Sequence, residues 1–596
     1  MAQMRRLDDT SIMVAGQGGD GSLTVMTVLG EVLARRGYHL YKSRNVASRI
    51  KGGIAAAQMR ASVKSRGGLG DFFDLVIAFD QEAVTNVGPS MAADGVVVFD
   101  SSDKPLDRST LPKTVRVIEI PFGRYAVRDL RRDLFKNSMS FGVISVLLNI
   151  DRAEAEECLR HVLRRLPEQV LRPNIDSFLE GRKFAENNAD IIGGQPWQLE
   201  RVGRDKHLMI GGNEALAFGF MVAGGRFFCG YPITPATEIL EWLQEHLPSQ
   251  GGIAMQAEDE LAAVNIALGA AMTGVRTMAA TSSPGFSLMQ EGISHAGSAE
   301  IPLVIVNSQR AGPSTGMPTK PEQSDIEMMI HGGNGEFPRI VLSPGDPSDS
   351  FMIAAAATNL AQQIQGPVII AIDQAVAQDS RSVLPFDLDM ETMENGARLT
   401  ADDLGKLSQY RRYELSKSGV SPWALPGTPG GMSLVTGNER NEWGLVTTLP
   451  AKRKEMMDKR ASKIAQVRSQ LPLGRTGGDP SARVGILGCG LQAGIIAEVS
   501  ERLNALGQPV RYLQPRTLWP VLDETAEFIR LCDRVYVVEQ NGEGQLARVL
   551  NGVHAFGNLI SLLKYDGVPF RCASLVQEIS DREAQAASAA ETGDAA

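Results

Sequence analysis

The stretch "SIMVAGQGGDGSLTVMTVLGEVLARRG" (Ser11–Gly37) decides the fold class. Its opening, "SIMVAG" (Ser11–Gly16), reads as a strand; "GQGGDG" (Gly16–Gly21) is a glycine-rich turn; Leu23–Gly37 carries apolar residues at helical spacing and ends on glycine. A strand that turns through glycines into a helix begins an α/β unit. Short β-rich runs follow at "LVIAF" (Leu75–Phe79), "GVVVFD" (Gly95–Asp100) and "VRVIEI" (Val115–Ile120), alternating with helical stretches. They predict a parallel sheet covered on both faces. "DRAEAEECLRHVLRRL" (Asp151–Leu166) predicts an amphipathic helix capped by its aspartate.

The same alternation returns twice. A second region begins near Gly211, with the strands "RTMAAT" (Arg276–Thr281), "PLVIVN" (Pro302–Asn307) and "PVIIAID" (Pro367–Asp373) and a long Ala/Gly-rich helix over Glu258–Thr273. A third begins at "ARVGILGCG" (Ala482–Gly490) and includes "RVYVVEQN" (Arg534–Asn541). Between them, Pro/Gly loops and the basic run "PAKRKEMMDKRASKIAQVRSQL" (Pro450–Leu471) predict a linking arm or an interface loop. The last residues, "DREAQAASAAETGDAA" from Asp581, predict a disordered tail. The expected class is therefore α/β with several doubly wound domains, divided at 1–195, 196–395, a connector 396–479, 480–580 and a tail 581–596.

The 596 residues are 43% hydrophobic and 22% charged, which excludes fibrous and wholly disordered classes. A net charge of −9 argues against nucleic acid as a partner. Residues 1–66 nevertheless hold eleven lysines and arginines against four acids, so this end is expected to meet an anion. Five cysteines without a CxxC pair give no iron–sulfur or zinc site, and no HExxH pair occurs. The expected metal ligands in this chain are none. No apolar run approaches the roughly 20 residues of a membrane span, and no signal peptide is evident, so a reduced, cytoplasmic protein is expected.

Glycines at 16, 18, 19 and 21 let the backbone approach an anion, and the following helix N-terminus offers free N–H groups. Where a dinucleotide ribose would want a carboxylate, the chain is basic, "YKSRNVASRIKGG" (Tyr41–Gly53). Arg44, Arg49 and Lys51 suit a phosphate-rich ligand such as a nucleotide-bearing thiol; a tight turn beside a solvated basic face is the bland alternative. "GDG" (Gly19–Gly21) followed by Asn45 imitates the metal motif of thiamine-diphosphate enzymes, but "YHLYKSRN" (Tyr38–Asn45) is too polar for its strand, and the match reads as coincidence.

The sharper signal is Arg310 in "NSQRAGPSTGMPTKPEQSD" (Asn307–Asp325), at the end of a strand and the start of a Gly/Pro/Ser/Thr loop. A guanidinium there can grip a carboxylate with two parallel hydrogen bonds. Ser314, Thr315 and Thr319 lie within reach, and Pro232 and Pro235 fix Thr234 in "YPITP" (Tyr231–Pro235). Each hydroxyl alone reads as turn or cap chemistry; together with Arg310 they point to a small-acid site. The acids of "QAEDELAAVNIALGAA" (Gln256–Ala271) serve the helix N-terminus, or one of them is a buried catalytic glutamate.

These stretches resemble the alpha subunit of a 2-oxoacid:ferredoxin oxidoreductase of the 2-oxoglutarate type with a gamma domain fused at its N-terminus. The likeness rests on "GQGGDG" with "SRIKGG" (Ser48–Gly53), "GNEALAFGFMVAGGRFFCGYPITPATEI" (Gly212–Ile239), "QAEDELAAVNIALGAAMTGVRTMAATSSPGFSLMQEGI" (Gln256–Ile293) and the Arg310 loop. It implies a Rossmann-like gamma-type domain, a thiamine-diphosphate pyrimidine-type domain and a transketolase C-terminal-like domain. It implies thiamine diphosphate shared with a beta subunit that holds Mg²⁺ and a [4Fe–4S] cluster, coenzyme A as cosubstrate, ferredoxin as electron carrier and an (αβ)2 assembly. The reaction implied is oxidative decarboxylation of a 2-oxoacid, 2-oxoglutarate favoured, to acyl-CoA, CO₂ and reduced ferredoxin.

By the same resemblance Glu260, with Glu258 as the fallback, hydrogen-bonds the aminopyrimidine, with Tyr231 and Pro232 beside it. Thr234, Arg310, Thr319 and Ser314 hold the substrate, and Glu260, Arg310 and Thr234 are the catalytic set. Gly16, Gly18, Gly19, Ser48, Arg49 and Lys51 are the coenzyme A candidates. The alternatives are a pyruvate-, branched-chain- or indolepyruvate-type subunit, or a non-catalytic nucleotide-binding regulatory protein.

Overall fold

A computed structural model describes residues 5–17, 22–46, 54–125, 135–189, 197–203, 206–388 and 393–593. They form two compact units: Met1–Met209 with Asp379–Pro385 and Arg571–Ala573, and Ile210–Gln378 with Phe386–Phe570 and Ser574–Ala596.

In the first unit, strand Asp9–Gln17 leads into helix Ser22–Arg35. The helix buries Val25, Leu29, Val32 and Leu33 against Ile12, Val14 and Met59, one stripe of a 3.6-residue repeat meeting the faces of two strands. Among the described residues the sheet includes, in order, Arg116–Ile120, Met91–Asp100, Phe73–Ala78, Asp9–Gln17, Ile54–Ser62, His39–Val46 and Ser380–Val383. It is not the expected parallel sheet. Asp9–Gln17 pairs parallel with Phe73–Ala78 but antiparallel with Ile54–Ser62, which pairs antiparallel with His39–Val46. Residues 47–53 are too few for the crossover of roughly a dozen residues that a parallel pair requires, so the basic strand returns antiparallel. Asp151 caps helix Arg152–Val162 as expected, accepting from the Ala153 and Glu154 amides at 2.8 and 3.3 Å.

In the second unit the described strands make a seven-stranded sheet, ordered Ile253–Gln256, Phe227–Gly230, Thr277–Ser282, Leu303–Gln309, Pro367–Asp373, Ile340–Leu342, Thr517–Trp519. It is parallel except for its last strand. A second sheet, Arg475–Gly478, Val510–Gln514, Val484–Leu487, Arg534–Glu539, Leu559–Leu563, belongs to the third region of the sequence. The two share one core in which Ile305 and Val341 join Leu487 and Val537.

The connector is not a loose arm. Its helix Pro450–Val467 buries Lys459 and Lys463, whose ammonium groups both stand 2.7 Å from the carboxylate of buried Glu300. Arg412 donates to the Glu300 carbonyl at 2.8 Å and to Gln365 Oε1 at 3.1 Å. A pattern of apolar residues could not reveal this segment, because only Met456 and Val467 among its buried positions are apolar and the others are Lys459, Arg460 and Lys463. Residues 581–593, expected to be disordered, continue helix Cys572–Gly593. Glu583 holds them, accepting from Arg534 Nε and Nη2 at 2.9 and 2.5 Å and from the Tyr536 hydroxyl at 2.6 Å. Alanine, the strongest helix former, supplies much of the rest.

Among the described residues no helix is long and apolar enough to cross a membrane, no cluster of His, Cys, Asp or Glu could hold a metal, and all five cysteines are free and buried.

Candidate active site

In the seven-stranded sheet the chain moves outward from Phe227–Gly230 to Ile253–Gln256, then returns to Thr277–Ser282 on the other side. Connections therefore leave neighbouring strands in opposite directions, and open α/β sheets bind ligands beyond the carboxyl ends of strands at such a point. Three segments meet there: the Tyr231–Pro235 turn after Gly230, helix Ser283–Leu288 after Ser282, and Arg310 after Gln309.

Arg310 is 5% exposed. Its backbone amide donates to Ser283 Oγ at 3.2 Å, and its Nη1 donates to the carbonyl oxygen of Thr234 at 2.6 Å. Nε is buried without an acceptor. Burial pulls the guanidinium's pKa down, and the negative charges of Asp325 and Glu260 oppose that fall. A desolvated cation with a donor to spare suits an anionic ligand. Thr234 meets Arg310 through its carbonyl oxygen, and the residue is half-buried.

Glu260 is the first residue of helix Glu260–Met272, capped by Asp259, whose side chain accepts from the Ala262 amide at 2.7 Å. Glu260 is buried, whereas Glu258 is exposed on the approach to the helix. The Glu260 carboxylate rests against Gly285: a Cβ at that position would stand 2.5 Å from Oε1 and closer still to Thr281 Oγ1. No hydrogen bond from a described residue reaches the carboxylate, and only glycine at position 285 lets it pack this closely. Such an acceptor fits the amino or ring nitrogen of an aminopyrimidine.

The other expected residues divide. Tyr231 is 38% exposed and Pro232 half-buried, both on the turn that carries Thr234. Ser314 lies near the tip of the loop after Arg310, exposed and with positive φ, and Thr319 is exposed on its return. Neither hydroxyl is drawn to Arg310 by a hydrogen bond. Gly16 is buried at the end of its strand; Gly18, Gly19, Ser48, Arg49 and Lys51 lie outside the described residues.

Sequence reading missed the groups that set Arg310. Buried Asp325 accepts from Asn307 Nδ2 at 3.0 Å, and its amide donates to Gln309 Oε1 at 3.2 Å. Burial pushes the Asp325 pKa up, against hydrogen bonds from Ser283 and Asn307 and the charge of Arg310. Gln323 pins the loop's return, donating to Asp373 Oδ2 at 3.2 Å and to the Cys489 carbonyl at 2.9 Å. The only sequence signal was that Asn307 and Asp325 bound the stretch carrying Arg310.

Residues 219–408 match the family model described as "Pyruvate flavodoxin/ferredoxin oxidoreductase, thiamine diP-bdg", and residues 11–184 match "Pyruvate ferredoxin/flavodoxin oxidoreductase". The chain is 30% identical to the 2-oxoacid:ferredoxin oxidoreductase subunit alpha of Saccharolobus solfataricus, covering 94% of this chain and 95% of that one. It is 29% identical to the 2-oxoglutarate oxidoreductase subunit KorA of Mycobacterium tuberculosis, covering 95% and 90%. Among solved structures, the 2-oxoglutarate:ferredoxin oxidoreductase from Magnetococcus marinus, with 2-oxoglutarate, coenzyme A and succinyl-CoA bound, superposes with a TM-score of 0.90. It shares 33% identity and covers 96% of this chain and 99% of that one.

Proposed function

The chain belongs to the family of 2-oxoacid:ferredoxin oxidoreductase alpha subunits, and from that premise we propose that its own active-site task is to hold the substrate's 1-carboxylate on Arg310 and the cofactor's aminopyrimidine on Glu260. One observation carries this reading: a buried arginine feels the negative charge of a buried carboxylate lacking a protein donor at one strand-end crevice, inside the segment matching a thiamine-diphosphate-binding model. Thiamine diphosphate supplies, when bound, the carbon nucleophile and electron sink that 2-oxoacid decarboxylation needs.

Arg310 neutralises and orients the carboxylate that leaves as CO₂, with Asp325, Asn307 and Ser283 keeping the guanidinium in place. The Thr234 hydroxyl supports the ketone oxygen, and Ser314 and Thr319 contribute from the loop. Glu260 accepts a hydrogen bond from the pyrimidine ring, with Glu258 as the exposed alternative and Tyr231 and Pro232 bordering the ring. Gly16, Gly18, Gly19, Ser48, Arg49 and Lys51, in a gamma-type domain over residues 1–195, receive the phosphates of coenzyme A.

The preferred substrate is 2-oxoglutarate, giving succinyl-CoA and CO₂, as the ligands of the Magnetococcus relative suggest. A beta subunit completes the site with Mg²⁺ and a [4Fe–4S] cluster, in keeping with the family to which the chain belongs. Electrons pass to ferredoxin, the assembly is (αβ)2, and its place is the cytoplasm, in keeping with five free cysteines. The test is viologen reduction by this chain co-purified with its beta partner, with thiamine diphosphate, Mg²⁺ and coenzyme A. Faster turnover of 2-oxoglutarate than of pyruvate or aromatic oxoacids is expected; preference for another oxoacid would overturn the substrate assignment.

A further inference from the structure

The five-stranded sheet of the third region has a switch point of its own. The chain leaves Val484–Leu487 for Val510–Gln514 on one side and takes up Arg534–Glu539 on the other. An open α/β sheet takes a ligand between the loops that follow two such strands. Here those loops are residues 488–491 and 540–544, and the group that bonds to both is a residue of this chain, Gln323, 1% exposed. Its Nε2 donates to the Cys489 carbonyl at 2.9 Å, and its Oε1 accepts from the Gln540 amide at 3.2 Å. Its backbone amide donates to the Gln540 carbonyl at 2.8 Å, and its carbonyl accepts from Asn541 Nδ2 at 3.1 Å. Every polar group of Gln323 is spent on this seat.

The grip extends toward the active site. Asp373, the register partner of Gln309, accepts from Gln323 Nε2 at 3.2 Å and from the Leu491 amide at 2.7 Å. Gly490 lies at φ +57°, and a Cβ there would collide with the Asp373 carboxylate, so this approach requires glycine. Further along, Gln545 Nε2 donates to the Ser324 carbonyl at 2.8 Å, and its Oε1 accepts from the Glu327 amide at 3.1 Å. Asp325 stands between these anchored positions, and its charge acts on Arg310. Two residues from Gln323 to Asp325 span at most about 7 Å of chain. Among the described residues none from the third region hydrogen-bonds Arg310, so the third region reaches the guanidinium through 323–327. The loop carrying Ser314 and Thr319 runs from Arg310 to this same seat, which fixes both of its ends.

We propose that Gln323 is a positioning residue for the substrate's 1-carboxylate: seated in the switch point of the third region, it fixes Asp325 and, through Asp325, the guanidinium of Arg310. This rests on the reading that Arg310 binds that carboxylate. The test is KM for 2-oxoglutarate, in the complex with its beta partner, for wild type, Gln323→Met, Arg310→Ala and the double variant. Methionine keeps the length of glutamine and removes its amide. Gln323→Met is expected to raise KM roughly tenfold, because a misplacement of about 1 Å can cost as much as a hundredfold. Thiamine diphosphate affinity, read by calorimetry, should stay as in wild type. Because the effect passes through the guanidinium, the double variant should show the KM of Arg310→Ala alone. An unchanged KM in folded Gln323→Met overturns the proposal. So does a rise that persists undiminished beside Arg310→Ala, or one matched by an equal loss of cofactor affinity, since either would make Gln323 a general support. A wild-type KM in Arg310→Ala would bring down the underlying reading and the proposal together. Should Gln323→Met fail to fold, Gln545→Met, which frees the Ser324 carbonyl and the Glu327 amide, decides by the same measurements.

Discussion

Arg310 Nη1 donates to the carbonyl oxygen of Thr234 at 2.6 Å, tying the end of strand Leu303–Gln309 to the turn after Phe227–Gly230. This contact spends one face of the guanidinium on the protein and aims the rest at a ligand. In Arg310→Lys the charge remains but the planar fork is lost. Charged hydrogen bonds contribute about 1.5–3 kcal/mol, so KM for the 2-oxoacid is expected to rise roughly 10- to 100-fold in steady-state kinetics. An unchanged KM would remove Arg310 from the carboxylate.

Gly285→Ala places a methyl group against the Glu260 carboxylate and Thr281. Displacing that acceptor is expected to weaken thiamine diphosphate binding by about tenfold or more, equivalent to ~1.4 kcal/mol. Calorimetric titration of the apo complex reads this directly; native affinity would show that Glu260 does not reach the pyrimidine.

The charge cluster under the connector predicts a pH dependence of stability. Burial draws Lys463 from 10.5 down to about 7, although Glu300 opposes it. Burial resists ionisation of Glu300, yet Lys463, Lys459 and Arg412 override it and hold its carboxyl well below the usual range. A lysine lowered in the folded state binds fewer protons there than when unfolded between pH 7 and 10.5, so stability from this group rises with pH across that window, by at most ~1.4 kcal/mol per unit. Glu300 contributes stability above its ordinary pKa that is lost as pH falls through the acid range. Urea unfolding from pH 7 to 9.5 should show a smaller upward slope in Lys463→Met. Glu300→Gln, which strips two buried ammonium groups of their carboxylate, is expected to cost about 3–5 kcal/mol; a cost under 1 would mean the connector is held by something else.

Glu583 joins the C-terminal helix to Arg534 and Tyr536. The pair is partly exposed, so Glu583→Ala is expected to lower global stability by no more than about 1 kcal/mol. Amide exchange across residues 576–593 should nevertheless quicken markedly, and unchanged protection would show that helix propensity alone orders the segment.

Much of this was legible in the residues. Strand–glycine–helix order gave the α/β class, Asp151 its cap, and Arg310 its place at a strand end. What escaped reading depends on partners distant in sequence. Ile54–Ser62 inserts beside Asp9–Gln17, and no local pattern announces an antiparallel neighbour. Lys459 and Lys463 look solvent-bound until Glu300 is brought beneath them. Asp325 and Ser283 gain their meaning only once folding sets them around Arg310. The resemblance favoured Glu260 over Glu258, but that Glu260 is buried and Glu258 exposed depends on where the helix docks.

The central claim is a division of labour between two side chains, and it is tested most directly by titrating thiamine diphosphate and 2-oxoglutarate separately into alpha–beta complexes carrying Arg310→Ala or Glu260→Gln. Arg310→Ala should raise KM for the oxoacid at least tenfold with native cofactor affinity, and Glu260→Gln should abolish most turnover and weaken the cofactor while leaving the complex assembled. Full activity in either variant, or both variants disturbing the same ligand alone, would contradict it.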